Sequence, residues 1–94
     1  MTVLAGLSEL VAARARGVVI AETQVVGADA RGQGFADTRF ERVRFERASF
    51  DRADLSGCRF EGCVFTACSF VGTGLRDAAF VDCRLDGAAM AGVD

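Results

Sequence analysis

The sequence predicts an all-β repeat solenoid, a fold in which short repeated units stack into one continuous column. Three observations support it: large apolar residues recur at every fifth position, small residues stand two positions before them, and glycines often stand two positions after them. A period of five matches neither the 3.6-residue period of an α-helix nor the two-residue period of a strand. Each five-residue unit should therefore turn one large and one small residue inward and end in a tight corner.

The large apolar positions form an unbroken series from residue 35 to residue 90, and this series contains all eight phenylalanines. Each such side chain should contribute roughly 1.5–3 kcal/mol when buried. We predict that they are the structural core of the protein: Phe35, Phe40, Phe45, Phe50, Leu55, Phe60, Phe65, Phe70, Leu75, Phe80, Leu85 and Met90.

The small positions include all four cysteines, and only Gln33 and Thr38 depart from the pattern or stretch it. The spacing of Cys58, Cys63 and Cys68, with four residues between neighbours, fits no zinc-binding motif. We expect buried, reduced thiols that act as small hydrophobic side chains, as in a cytoplasmic protein. A disulfide between Cys63 and Cys83 is the less favoured alternative.

Residues 53–57 (ADLSG) match in full the loose consensus A-(D/N)-(L/F)-x-x, and residues 48–52, 58–62 and 83–87 match it with a substituted second position. On these motifs the chain resembles the pentapeptide-repeat family over about residues 18–92. The resemblance implies a right-handed quadrilateral parallel β-helix with four units in each square coil. Fifteen units then make about 3.75 coils.

Four units per coil place residues twenty apart in one column. Coils stack about 4.8 Å apart, a spacing at which aromatic rings can stack. The expected columns are Ile20, Phe40, Phe60 and Phe80; Val25, Phe45, Phe65 and Leu85; Ala30, Phe50, Phe70 and Met90; and Phe35, Leu55 and Leu75.

Residues 1–17 are predicted to be an N-terminal capping segment, and residues 18–94 the β-helix. Between residues 2 and 16 the apolar residues Val3, Leu4, Leu7, Leu10 and Val11 have helical spacing, with Thr2 as the N-cap and Gly17 as the stop. A helix here would cover the edge of the first coil. A further degenerate coil is the alternative.

The composition argues against catalysis. The chain has 94 residues, no histidine and a net charge of −2 from 13 acids and 11 arginines. Without histidine, a Ser-His-Asp triad, a Cys-His pair and a His-bearing metal site are excluded. We expect no catalytic residue, no metal site, no cofactor and no small-molecule substrate. Neither a signal peptide nor a membrane span is predicted, so the expected location is the cytoplasm.

Five arginines lie close together in one coil, and four acids alternate with them. We favour a solvated belt of ion pairs over a binding patch, and the near balance of charge gives no reason to bind nucleic acid directly or an acidic membrane. The arginines are Arg39, Arg42, Arg44, Arg47 and Arg52, and the acids are Asp37, Glu41, Glu46 and Asp51.

The candidate interface combines a weakly apolar side with the C-terminal coil. Its residues are Val64, Val71, Ala89, Met90, Ala91 and Val93. The alternative, that small residues merely suit a β-helix wall, remains equally open. The sequence after Met90 looks too short to cap the coil of Phe80 and Leu85, which favours a homodimer through that coil, or a partner protein.

The predicted function is that of a non-enzymatic, rigid protein–protein interaction module. The alternative is a DNA mimic that modulates DNA gyrase or another topoisomerase, because some members of the similar family bind gyrase. Residues 18–94 hold 12 acids and 9 arginines. Their net charge of −3 is well below the roughly ten charges that B-DNA carries over about 18 Å, which makes mimicry the second choice.

Overall fold

The computed structural model describes residues 2–15 and 19–87. Within these ranges the chain forms one helix and nine short strands, most of them three residues long. The elements are β1 (Thr2–Ala5), α1 (Leu7–Ala15), β2 (Val19–Ala21), β3 (Thr23–Val26), β4 (Arg39–Glu41), β5 (Arg44–Glu46), β6 (Arg59–Glu61), β7 (Val64–Thr66), β8 (Ala79–Val81) and β9 (Arg84–Asp86).

The strands stack in two parallel ladders, with the orders β2-β4-β6-β8 and β1-β3-β5-β7-β9. In the first, Phe60 pairs with Phe40 on one side and with Phe80 on the other, so the register is twenty residues. Isolated parallel bridges continue the same register through Ser49 and Asp54. The fold is therefore the predicted four-sided parallel β-helix, with about four turns.

We number its sides in chain order. The first side is the ladder of β2, and the second is the ladder of β3. The third side holds the bridges Asp29–Ser49–Ser69, and the fourth holds the bridges Gly34–Asp54–Gly74.

Each corner is a residue with positive φ, two positions after the large inward residue. Fourteen successive corners from Glu22 to Gly87 have φ between 51° and 71°. Six of them are glycines, which confirms the predicted glycine phase, while Gly92 lies outside the described residues. The other eight adopt the left-handed backbone conformation although a β-carbon disfavours it. They are Glu22, Asp37, Arg42, Arg47, Arg52, Ala67, Asp77 and Asp82.

Phenylalanine rings of successive coils stack face to face inside the tube. The ring centroids of Phe60 lie 4.9 Å from those of Phe40 and 4.7 Å from those of Phe80, with interplanar angles of 4° and 11°. Phe45 and Phe65 stack at 4.8 Å. Rings on adjacent sides meet edge to face, as Phe40 and Phe45 do at 5.4 Å. Both arrangements are favourable for aromatic quadrupoles, so the interior is filled by a continuous aromatic column.

The burial of this column decreases towards the last described coil. From Phe35 to Phe70 every large inward residue is at most 2% exposed. Leu75 and Phe80 are half-buried, and Leu85 is 40% exposed although it continues the column of Phe65. Met90 lies outside the described residues.

The cysteines and Thr73 of the small inward row connect neighbouring coils through side-chain hydrogen bonds. The thiol of Cys58 donates to the carbonyl oxygen of Phe35, and the hydroxyl of the buried Thr73 donates to that of Phe50. Cys63, Cys68 and Cys83 repeat this bond at the same separation of 23 residues. All four cysteines are free thiols, as predicted, and burial raises the pKa of Cys63 to about 11.

The N-terminal segment differs from the prediction. Residues 2–5 are a strand and not the start of a helix, because β1 pairs with the free edge of β3, with Leu4 beside Val25. This pairing gives hydrogen-bond partners to backbone N–H and C=O groups at the edge of β3, which would lack them if residues 2–5 were helical. Thr2 is thus no N-cap, and Gly17 lies outside the described residues.

The helix α1 covers only Leu7–Ala15, and its Leu10 is fully buried in the core cluster beside Leu4 and Ile20. Val11, which the prediction placed on the buried face, is 42% exposed. The register between β1 and β3 is 21 residues, so the segment holding the helix adds one residue to the regular period of twenty.

Candidate interaction surface

The outward side chains stand in rows, because residues twenty apart pair along each ladder. On the first side, Arg39 pairs with Arg59 and Glu41 pairs with Glu61. An Arg39 guanidinium nitrogen lies 3.0 Å from a carboxylate oxygen of Glu41 and 3.5 Å from one of Glu61. Arg59 contacts Glu61 as well, and these contacts lower the pKa of the Glu61 carboxyl. The first side therefore presents alternating, mutually paired charges.

The predicted ion-pair belt holds for only part of the arginine group. Arg39 is paired as above, and Arg42 Nη2 lies 3.2 Å from Glu22 Oε1 of the preceding coil. Among the described residues, Arg44, Arg47 and Arg52 form no ion pair, although all three are exposed.

Two acids that the prediction assigned to this belt are engaged elsewhere. Glu46 accepts a hydrogen bond of 2.9 Å from the side-chain amide of Gln24. Asp51 accepts hydrogen bonds from the Ser69 hydroxyl and from the backbone N–H of Val71, the latter at 2.8 Å. These donors lower the pKa of Asp51 and hold its carboxylate on the third side. Three guanidinium groups consequently remain available on the outer wall.

The predicted interface residues do not lie on a single side. Val64 is half-buried on β7, on the second side, between Arg44 and Arg84 of the neighbouring strands. Val71 is 39% exposed and follows Ser69 of the third side. Ala89, Met90, Ala91 and Val93 lie outside the described residues.

Exposed valines that the sequence analysis did not select occur at both ends of the described coils. Val3 is 55% exposed and Val19 is 47% exposed near the N-terminal end, and Val81 is 37% exposed on β8. The signal that could have identified Val19 and Val81 is the column arithmetic, which places both in outward rows of the first side.

A shallow cleft, largely open to solvent and with a volume of about 440 Å³, lies at the corner between the third and fourth sides, lined by Asp29, Arg31, Gly32, Gln33 and Arg52. The Arg31 guanidinium donates through two nitrogens to the two Asp29 carboxylate oxygens, at 2.7 and 2.8 Å. These bonds lower the pKa of Asp29. Sequence analysis singled out Gln33 as an irregular residue and Arg52 as part of the belt, but it did not bring them together.

Gln33 is unusual in its row. From Thr23 to Thr73, every other residue of the small inward row is buried, whereas the Gln33 side chain is exposed. A glutamine is too large and too polar for this inward site, so it turns outward into the cleft.

Across residues 2–15 and 19–87, no three Cys, Asp or Glu side chains form a metal-binding group. In the same ranges there is no helix long and apolar enough to span a membrane.

Comparison with protein-family models is decisive for the classification. A model described as a pentapeptide repeat region matches residues 33–94, which is more than half of the chain. The chain belongs to the pentapeptide-repeat family. The family assignment agrees with the register of twenty residues and the stacked phenylalanine columns described above.

Solved structures of similar fold include other pentapeptide-repeat proteins. Rfr23 from the cyanobacterium Cyanothece 51142 has a TM-score of 0.62 and 13% identity, over 99% of this chain and 78% of that one. QnrB1, described as a plasmid-mediated fluoroquinolone resistance protein, has a TM-score of 0.47 and 16% identity, over 99% of this chain and 47% of that one. At these identities the likeness to Rfr23 supports the fold alone. No curated protein matches this sequence.

Proposed function

We propose that this pentapeptide-repeat protein is a non-enzymatic protein–protein interaction module. The observation that carries the proposal is the outer wall, where side chains stand in straight rows fixed by a continuous aromatic core. Such flat rows suit the broad surface of another protein better than a small molecule, which requires a concave, mostly apolar pocket. Free thiols inside the tube are typical of a reducing compartment, which supports a cytoplasmic location.

The proposed interface includes Val64 of the second side and Val71 after the third side; Ala89, Met90, Ala91 and Val93, which the sequence analysis adds to it, lie outside the described residues. Exposed apolar residues at the edge of polar rows are typical of docking sites. Val71 borders the Ser69–Asp51 network, which holds this part of the third side in one conformation.

Affinity capture from the native organism tests this interface. We expect Val71→Asp to lose a captured protein that the wild type retains, because a carboxylate would be desolvated at the contact. Val19→Asp is the matched control, since Val19 is 47% exposed, against 39% for Val71, but lies on the first side. Equal capture by both variants, or no specific capture by the wild type, contradicts the proposal.

We further propose a homodimer through the coil that contains Leu85. Leu85 is 40% exposed, although Phe65 and Phe45 of its column are fully buried, and Val81, in an outward row of the same coil, is 37% exposed. Light scattering at micromolar concentration should give twice the mass of 9.9 kDa. Leu85→Asp should give a monomer, and Val3→Asp, at the other end, should remain dimeric. A monomeric wild type contradicts the dimer.

Mimicry of DNA is less well supported than the interaction module. Acids on the first side are paired with arginines, as Glu41 and Glu61 are with Arg39. DNA presents a uniform row of negative charge, whereas this side alternates in sign. A supercoiling assay with purified gyrase distinguishes the two functions, and we expect no effect at a high excess of protein.

A further inference from the structure

We propose that the cleft at the corner between the third and fourth sides binds a carboxylate of a partner protein, with Arg52 as its main anchor and Gln33 as a second donor. This inference names a partner chemistry for the proposed interaction module and rests on that function. The cleft lies beside Val71, whose carbonyl oxygen accepts a hydrogen bond from the Arg52 backbone N–H at 2.9 Å, and on a different side from Val64.

The balance of hydrogen-bonding groups in the cleft favours an acceptor ligand. Asp29 is already occupied, because both of its carboxylate oxygens accept hydrogen bonds from Arg31. The nearby Asp51 is held by Ser69 and Val71. The carboxylates of Asp29 and Asp51 therefore already have donor partners within the protein.

The donors, in contrast, are available. Arginine has five side-chain N–H donors and no acceptor, and the Arg52 guanidinium makes no hydrogen bond or ion pair within the described part of the chain, although the Arg52 backbone N–H donates to Val71. The Gln33 side-chain amide makes no hydrogen bond there either, and it faces the cleft instead of the interior. A planar carboxylate can accept two parallel bonds from one guanidinium, which makes it the matching group.

The surroundings of Arg52 explain why it stays unpaired. Its corner column contains Gly32 in the preceding coil and Gly72 in the next, so no acid lies directly above or below it. A β-carbon on Gly72 would lie 3.3 Å from Arg52 Cγ, which shows that the arginine stem packs closely over this glycine. The stem is thus held, while the guanidinium has no hydrogen-bond or ion-pair partner among the described residues.

The site favours a protein carboxylate over a nucleic-acid backbone. The acids Glu46 and Asp51 directly precede Arg47 and Arg52 in the chain. A nucleic-acid backbone that crossed several of these positions would meet both positive and negative side chains, whereas a single carboxylate can contact Arg52 alone. Arg47, at the other end of the third side, can contact a second acid of the same partner.

Fluorescence anisotropy with a rhodamine-labelled peptide of alternating glutamate and glycine tests the inference on the full chain at low salt. We expect saturable binding that Arg52→Gln weakens about fivefold or more, consistent with loss of a charge-assisted bond. Gln33→Ala should weaken it about twofold to threefold. A glutamine–glycine peptide of the same length should not bind.

Arg42→Gln is the matched control. Arg42 is also an exposed corner arginine beneath a glycine, but it is paired with Glu22, and its loss changes the net charge equally. We expect this variant to bind within about twofold of the wild type. Equal weakening by Arg42→Gln and Arg52→Gln, no binding of the acidic peptide, or tighter binding of a single-stranded oligonucleotide overturns the inference. Unchanged thermal unfolding of each variant excludes misfolding.

The capture experiment separates this inference from the proposed function. If a partner is lost with Val71→Asp but kept in full with Arg52→Gln, the interaction module stands and the carboxylate site is wrong. If no partner is captured while the peptide binds at Arg52, the module fails in its proposed form.

Discussion

The carboxylate of Asp37 occupies the space that a β-carbon on Gly57 would need. The two residues are equivalent corners of successive coils, and Gly57 has a φ of +71°. The space available for a side chain at a corner therefore depends on the residue that stands twenty positions earlier in the same column. Gly62 and Gly72 likewise lie close to the side chains of Arg42 and Arg52 of the coil before.

Gly57→Ala should destabilise the protein by about 1–2 kcal/mol, because the left-handed backbone disfavours a β-carbon and the Asp37 carboxylate must move. Gly27→Ala is the control, since its φ is +65° but nothing lies within 4 Å of the added atom. Urea unfolding measures both. Adding Asp37→Ala to Gly57→Ala should reduce the loss of stability to that of Gly27→Ala. An unchanged loss would show that the contact with the Asp37 carboxylate does not contribute to it.

Ala67→Gly should stabilise the fold by about 0.5 kcal/mol, which corresponds to a rise of roughly 2–4 °C in Tm. Ala67 has a φ of +53° and is exposed, so glycine relieves strain without loss of packing. Part of the gain is offset by the greater freedom of the unfolded chain. Ala21→Gly, in an exposed strand position, should have the opposite sign. A lower Tm for Ala67→Gly contradicts this account of the corners.

Phe60→Leu should cost more stability than Phe80→Leu, by about 1 kcal/mol or more. Phe60 is stacked between Phe40 and Phe80 and is fully buried, whereas Phe80 is half-buried and has one stacked phenylalanine in its column. Chemical denaturation of the two variants provides the comparison. Equal costs would indicate that the last described coil is as well covered as the middle one.

Thr73→Val should destabilise the protein by about 1 kcal/mol, because the buried hydroxyl donates to the Phe50 carbonyl at 2.7 Å and valine cannot. Thr73→Cys should be nearly neutral, since cysteine makes the same bond at four equivalent positions. Thermal unfolding of this pair isolates the hydrogen bond from the side-chain volume. If Thr73→Val leaves the stability unchanged, the hydrogen bond to Phe50 does not contribute to it.

Stability should fall as the pH rises from about 9 towards 11. Burial raises the pKa of Cys63 from its usual 9.0 to about 11, so the folded state keeps its proton where the unfolded state loses it. The contribution is complete below pH 9 and decreases by up to about 1 kcal/mol per pH unit above it. The chain has no lysine, tyrosine or histidine, so cysteines dominate the side-chain titration in this range. Cys63→Ala should make the decline shallower, and an identical decline contradicts the assignment.

The columns and corners could be predicted from the sequence because one period of five determines both. The first strand could not, because its register of 21 residues moves Leu4 out of that period, and its apolar residues also fit a helical pattern. Pairing with an existing edge decided between the two. The N-terminal sequence pattern is thus compatible with a helix and with a strand, and the hydrogen bonds to β3 favour the strand.

The unpaired arginines could have been found by the same arithmetic that gave the core. Arg42 follows Glu22 by twenty residues and is paired with it. Arg47 and Arg52 have Gly27 and Gly32 at that distance, which offer no charge. Neighbours along the chain, Glu46 and Asp51, suggested pairs that the fold does not make, because Gln24 and Ser69 of adjacent coils engage those acids instead.

The register of four units per turn also constrains how such a chain can evolve. Gain or loss of a single unit preserves every inward contact type, yet it rotates all later outward groups by a quarter of a turn. A whole-turn duplication of twenty residues lengthens the rod and keeps each surface aligned. Recognition surfaces in this architecture can therefore be redirected by small insertions while the interior chemistry is inherited unchanged.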